Sequence, residues 1–180
     1  MVTPLPTRYL ESARSVFVFA CFTGLAYIDL MNLRMQNIVR ECDRYWIRTK
    51  RQKSGIPSNV PLMYLPLEII KSLHPDISAA HPETSVLPVT SNQNLNDALK
   101  KIAAHCNIAK DLSFQIARHT FATTVTLSNG VPIEVVSKMF GRWRIATTQH
   151  FAKIVDKKVG EDMDKLELRL DGMFAGKKAG

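Results

Sequence analysis

The residues best suited to chemistry in this chain are cations. Arg118 stands in Phe114-Gln115-Ile116-Ala117-Arg118-His119-Thr120-Phe121-Ala122, a largely apolar helical stretch. A guanidinium held there calls for an anion, because its planar fork of donors matches phosphate or carboxylate oxygens. Gln115 lies one helical turn earlier, so the two side chains share a face. Lys50, Arg51 and Lys53 crowd a polar stretch that ends at Gly55, and Arg142 and Arg144 add further charge. The three cysteines, Cys21, Cys42 and Cys106, are widely spaced and odd in number. They draw no zinc pattern and no disulfide framework, and they fit a reducing cytoplasm. The chemistry on offer is anion binding, without a metal or other cofactor.

Composition points the same way. Lys and Arg outnumber Asp and Glu by 24 to 16, a net charge of +8, which favours a polyanionic partner. Nucleic acid is the commonest such partner. With 180 residues, 46% of them hydrophobic, the chain can build one domain around a real core. Val16 to Phe22 is wholly apolar and follows Arg8 and Arg14, in the manner of a signal peptide. Glu11 interrupts the basic region, however, and the run stops at Thr23-Gly24, far short of the ~20 residues that cross a bilayer. A buried core helix is the better reading, with no membrane partner.

The elements that must position these cations follow from periodicity and punctuation. Residues 9 to 22 predict a helix central to the core. A second is expected from Asp29, as N-cap, to about Val39, with Leu30, Leu33 and Ile38 inward. Tyr45 to Thr49 and Ile56 to Leu62 read as two strands joined by the basic turn; the prolines confine the second to a sheet edge. Pro66 opens a short helix to Leu73, and His74 to Pro88 is loop. Asn92 or Asn94 caps an amphipathic helix with Leu95, Leu99, Ile102, Ala103 and Cys106 in one stripe. Ser113 caps the next helix, which ends at Asn129-Gly130. Pro132 then takes a helix N1 position, and Gly141 ends that helix. Helices over about Thr147 to Val155 and Lys158 to Met173 precede a loose tail from Ala175 to Gly180.

Five stretches share the order and spacing of the tyrosine recombinase (phage integrase) catalytic domain. They are Cys21-Phe22-Thr23-Gly24-Leu25, Arg51-Gln52-Lys53-Ser54-Gly55, Ala117-Arg118-His119-Thr120-Phe121-Ala122-Thr123, Met139-Phe140-Gly141 and Thr147-Thr148-Gln149-His150-Phe151-Ala152. The wording of Thr23 to Leu30 and of Thr126 to Ile133 resembles the integrases of conjugative and mobilisable elements. The resemblance covers residues 3 to 165. It implies a mainly helical fold with a small antiparallel sheet, one catalytic domain over residues 1–174 and a flexible tail over 175–180; the separate N-terminal DNA-clasping domain that the family carries is expected to be absent from this sequence. It also implies double-stranded DNA as partner and homo-oligomers on DNA through the C-terminal helix. In that family a tyrosine attacks the scissile phosphate, two arginines clamp its non-bridging oxygens, and a β-turn lysine protonates the leaving oxygen. By this resemblance Arg118 is the second clamp arginine and Lys53 the β-turn lysine; otherwise Lys53 is one solvated charge beside Lys50 and Arg51. His119 packs within the core.

The chain departs from the family at the reacting positions. The first clamp arginine is replaced by Ala26. Arg14, on the preceding helix, is a candidate substitute, or else a surface charge. Gln115 stands where a histidine is expected: it can donate a hydrogen bond but carries no proton at neutral pH. Arg142 takes the other histidine position and can clamp phosphate without acting as an acid, with Trp143 one residue out of register. Phe151 occupies the nucleophile position and has no oxygen. Tyr9, Tyr27, Tyr45 and Tyr64 all lie in the first part of the chain, and His150 is the remaining neighbour able to attack phosphorus. Three functions compete: a DNA-binding recombinase domain deficient in cleavage; an active recombinase with an unusual nucleophile, or one trapped by an engineered Tyr-to-Phe change; and a small transcription regulator, suggested by a faint helix-turn-helix flavour from Leu127 to Val136. Preference for four-way junctions would mark the first two, operator-like specificity the third.

Overall fold

A computed structural model describes residues 3–141 and 160–168. Helix α1 (Arg8–Thr23) begins at Thr7, whose hydroxyl accepts from the Leu10 N–H, and ends at Gly24 in the left-handed conformation. Val16, Phe19 and Ala20 are fully buried, so the apolar run is the core helix expected. No helix among the described residues is long and apolar enough to cross a membrane. Around α1 pack α3 (Tyr64–Leu73), α4 (Asn92–His105) and α5 (Phe114–Thr120). Leu95, Leu99, Ile102 and Ala103 form the buried stripe of α4. Each large apolar side chain so buried contributes roughly 1.5–3 kcal/mol.

The expected helix from Asp29 to Val39 is corrected. Helix α2 covers only Tyr27–Met31, a 3-10 turn follows at Met35–Asn37, and strand β1 takes Ile38–Glu41. Leu30, Leu33 and Ile38 are all buried, but Ile38 is buried as a strand residue opposite Ile47 of β2 (Arg44–Lys50). The backbone of β2 needs partners on both sides, and β1 supplies one of them. Asp29 is no cap: Ala26 holds that position, and the Asp29 carboxylate accepts from the Gln52 N–H at 2.8 Å. The sheet therefore has three antiparallel strands, not two, in the order β1-β2-β3, with β3 spanning Pro57–Pro61. Its prolines sit on an outer strand, where a missing N–H breaks no ladder bond.

Two caps also differ from expectation. Ser91, rather than Asn92 or Asn94, caps α4, its hydroxyl accepting from the Asn94 N–H. Pro132 precedes α6 (Ile133–Met139) as its cap residue rather than as its first helical residue. After α5 the chain runs as a π-helical segment (Phe121–Thr126) and a 3-10 turn (Leu127–Asn129) to left-handed Gly130. Within it the Thr126 hydroxyl donates to the carbonyls of both Phe121 and Ala122, the back-bonding that loosens a helix. Residues 160–168 are helical and exposed. The expected helix at Thr147 to Val155 and the tail from Ala175 lie outside the described residues.

Among the described residues the buried apolar side chains form two clusters. A large one gathers α1, α3, α4, the start of α5 and the sheet. A small one comprises Phe121, Ala122, Val136 and Phe140.

Candidate phosphate-binding site

Three segments converge at the C-terminal end of α1, and Gly24 lets them meet. Its φ is +67°, and a Cβ there would stand 2.3 Å from the Phe121 ring and 2.6 Å from the Phe140 ring. Glycine supplies both the left-handed turn and the empty space. The Gly24 carbonyl accepts from Nη1 of Arg118, the Phe140 carbonyl accepts from Nη2 at 3.3 Å, and the guanidinium carbon lies 3.8 Å from the centre of the Phe140 ring. Two main-chain oxygens and an aromatic face thus fix the plane of the fork before any ligand arrives. A cation over an aromatic face adds roughly 0.5–2 kcal/mol, depending on its desolvation. Arg118 is half-buried, while Gln115, one turn earlier on α5, is exposed.

The β2–β3 turn forms the second wall. The Arg51 N–H donates to Ile56 O at 2.9 Å, and the Gly55 N–H to Arg51 O at 2.7 Å, with Gly55 at φ +68°. Asp29 ties the turn to α2 through Gln52, and the Ser58 hydroxyl donates to Met139 O at 2.5 Å, tying β3 to the end of α6. Gly141 closes the seam: a Cβ there would come 3.2 Å from Ile56 O and 3.5 Å from the Arg51 Cβ. Lys50 and Lys53 are exposed on this turn, and Arg51 is half-buried.

Folding therefore brings Arg118 and the β2–β3 turn that carries Lys50, Arg51 and Lys53 next to the Phe140–Gly141 peptide. It does not bring Arg14 there. That guanidinium pairs with Glu11 and donates to Thr3 O at 2.7 Å, and it sits ten residues before Gly24, about 15 Å along the helix axis. Ala26 presents only a methyl group. Arg142, Arg144, His150 and Phe151 lie outside the described residues. His119 is half-buried, and its carbonyl accepts from the Thr123 hydroxyl. Sequence reasoning did not anticipate Phe140 as a platform, nor Asp29 and Ser58 as ties. Only Met139-Phe140-Gly141 hinted at the first, and nothing local marks the other two.

Other chemistry is limited. Burial pushes the Cys21 thiol up to about 12, so it stays protonated and unreactive near neutral pH. Among the described residues no group of three or more His, Cys, Asp or Glu could hold a metal.

The model of the phage integrase family matches residues 7–158. The integrase of Salmonella phage P22 is 26% identical over 168 residues, covering 87% of this chain but 43% of that protein. The chain thus spans less than half the length of that relative. Among solved structures, the XerH site-specific recombinase bound to palindromic difH substrate superposes with a TM-score of 0.68 at 15% identity, over 91% of this chain and 48% of that one. The XerA recombinase gives 0.62 at 19% identity, over 91% and 66%. The Tn1549 transposon integrase in complex with transposon right end DNA gives 0.62 at 14% identity, over 92% and 66%. These structural likenesses establish the fold, that of a tyrosine recombinase catalytic domain. A family match over most of the sequence, with its Thr-Gly-Leu and Arg-His-Thr blocks meeting in space, carries the assignment further: the chain belongs to the phage integrase family.

Proposed function

We propose that this chain is a site-specific recombinase catalytic domain, acting in the cytoplasm, that grips the backbone of double-stranded DNA and, with its present sequence, does not cut it. The observation that carries the reading is the pre-set Arg118 fork beside the basic β2–β3 turn. A guanidinium already held in plane loses little freedom when a phosphate arrives, and Lys50, Arg51 and Lys53 supply charge next to it. The net charge of +8 supports the same partner. In the family's reaction Arg118 would hold non-bridging oxygens and Lys53 would face the leaving oxygen. Gln115 would donate a hydrogen bond but move no proton, and Arg142 would add positive charge without acting as an acid. The reaction stops there, because Phe151 offers no oxygen to attack phosphorus. Arg144 would add a further positive charge for the DNA backbone. The helix over 160–168 exposes Met163 and Leu166 on one face, suited to docking on a second copy bound to the same DNA. A separate transcription-regulator role is not favoured, because the phage integrase family model matches residues 7–158, which take in the faint helix-turn-helix stretch.

The test is a nicked suicide duplex followed by denaturing electrophoresis. The chain should bind DNA with strong salt dependence, with a Kd near the non-specific range of ~10⁻⁴ to 10⁻⁶ M at physiological salt, and form no covalent adduct. Phe151→Tyr alone should give little adduct. Adding Gln115→His and Arg142→His should raise it by ~10² to 10⁴-fold, the usual contribution of general acid–base groups. An adduct from the unaltered chain would overturn the cleavage-deficient reading and point to His150. Robust activity from Phe151→Tyr alone would instead make Gln115 and Arg142 tolerated variants of a working site.

A further inference from the structure

We infer that Arg51 is the second arginine of the phosphate clamp, taking over from the turn the role that Ala26 cannot fill. This rests on the reading of the site as a DNA-phosphate grip and assigns it a residue. Three observations single out Arg51 among the cations nearby. Its Nε is buried and has no hydrogen-bond partner among the described residues, although its main chain is fully engaged in the turn. No ion pair found among the described residues includes it, whereas Arg14 is held by Glu11 and Thr3 and Arg48 by Glu41. A buried donor left unmatched costs roughly 1–3 kcal/mol, a cost that a ligand acceptor would relieve.

The third observation is position. The Arg51 Cβ lies 3.5 Å from the place a Gly141 Cβ would take, and Arg118 donates to the carbonyl of the adjoining residue, Phe140. Following standard bond lengths between these points, the Arg51 Cβ is at most about 11 Å from Nη2 of Arg118. An extended arginine reaches about 6 Å from its Cβ, and a hydrogen bond of ~2.9 Å to each side of one phosphate bridges the rest. The two forks are therefore within reach of one phosphate beside the Phe140–Gly141 peptide. Asp29 holds Gln52, the residue after Arg51, on α2, whose cap position is Ala26 itself. The turn thus leans on the element from which the missing side chain would have come. Lys50 and Lys53 are exposed and lack this placement.

The experiment is a double-mutant cycle on the full chain, read by fluorescence anisotropy with a labelled duplex over a salt series. Arg51→Gln and Arg118→Gln should each weaken binding about tenfold. The double variant should be scarcely weaker than either single one, because two residues on one phosphate are coupled. Lys50→Gln with Arg118→Gln should be additive. Arg51→Lys keeps the charge and the stem against Gly141 but loses the fork, and it should bind nearly as poorly as Arg51→Gln; it also covers a fold defect in the latter. Ala26→Arg should restore binding to Arg51→Gln. Additive losses for Arg51 and Arg118, or full binding by Arg51→Lys, would overturn the assignment. Absence of recovery with Ala26→Arg would overturn the replacement of position 26. A native chain that binds no duplex even at low salt would sink the parent reading, and this one with it.

Discussion

The two hydrophobic clusters are built differently, and the candidate site lies where they meet. The large one rests on regular elements: α1 with its Thr7 cap, α4 with its Ser91 cap, and a sheet in simple antiparallel register. Among the described residues the small one comprises Phe121, Ala122, Val136 and Phe140, with Val125, Leu127, Val131 and Met139 packed against them, on a π-helical segment, a 3-10 turn and chain reversals at left-handed Gly130 and Gly141. Arg118 spans the seam, with Nη1 on the Gly24 carbonyl at the end of α1 and Nη2 on the Phe140 carbonyl after α6. Its irregular backbone marks the small cluster as the part expected to open at lower cost. Regular packing thus lies in one region and the Arg118 contacts in its junction with the other.

The sharpest way to break this comparison is at Gly24. Gly24→Ala would drive a methyl group into the Phe121 and Phe140 rings and strain a left-handed backbone. It should cost about 2–5 kcal/mol, combining overpacking with the left-handed penalty. Gly55→Ala shares the positive φ but meets nothing within 4 Å, so only the backbone penalty of about 1–2 kcal/mol applies. Urea unfolding of both variants measures the difference, and equal losses would mean that the seam is loose.

A smaller effect, of a different kind, is expected at Arg118. Arg118→Ala should weaken duplex binding by roughly 1.5–3 kcal/mol, the worth of a charge-assisted contact, while the large cluster keeps the chain folded. Affinity per folded molecule, read alongside thermal unfolding, separates the two. A variant that unfolds yet binds normally when folded would make the arginine a structural strut. Smallest should be Ser58→Ala, which removes the tie from β3 to Met139 O. It should cost ~0.5–1.5 kcal/mol and raise hydrogen exchange in residues 131–141 more than in α4. Uniform exchange across both regions would show that they open together.

The same division governs what could be read from sequence. The spans of α1 and α4 were legible because apolar residues recur at helical spacing over several turns, and the basic turn because polar residues separate two β-branched runs. The helix drawn through Ile38 failed because four residues cannot distinguish helical from alternating burial. Only pairing with Tyr45, Trp46 and Ile47 decides that, and pairing is a long-range fact. The cap of α4 was misplaced because Ser91 precedes two asparagines, all three competent to cap. At the site, Arg118 stood out as a cation in apolar company. The buried Nε of Arg51 did not, since a lysine-rich turn gives no sign of which charge the neighbouring glycine will cover.

The outer strands of the sheet carry a consequence for self-association. β3 begins and ends with prolines, which lack an N–H to offer, and β1 is four residues long and carries Arg40 and Glu41. Neither rim offers a long uncharged ladder of donors and acceptors to a foreign strand, the devices by which natural sheets resist edge-to-edge aggregation. Edge-to-edge pairing of this sheet with that of another copy is thereby disfavoured, which lowers the risk of fibril formation at high protein concentration.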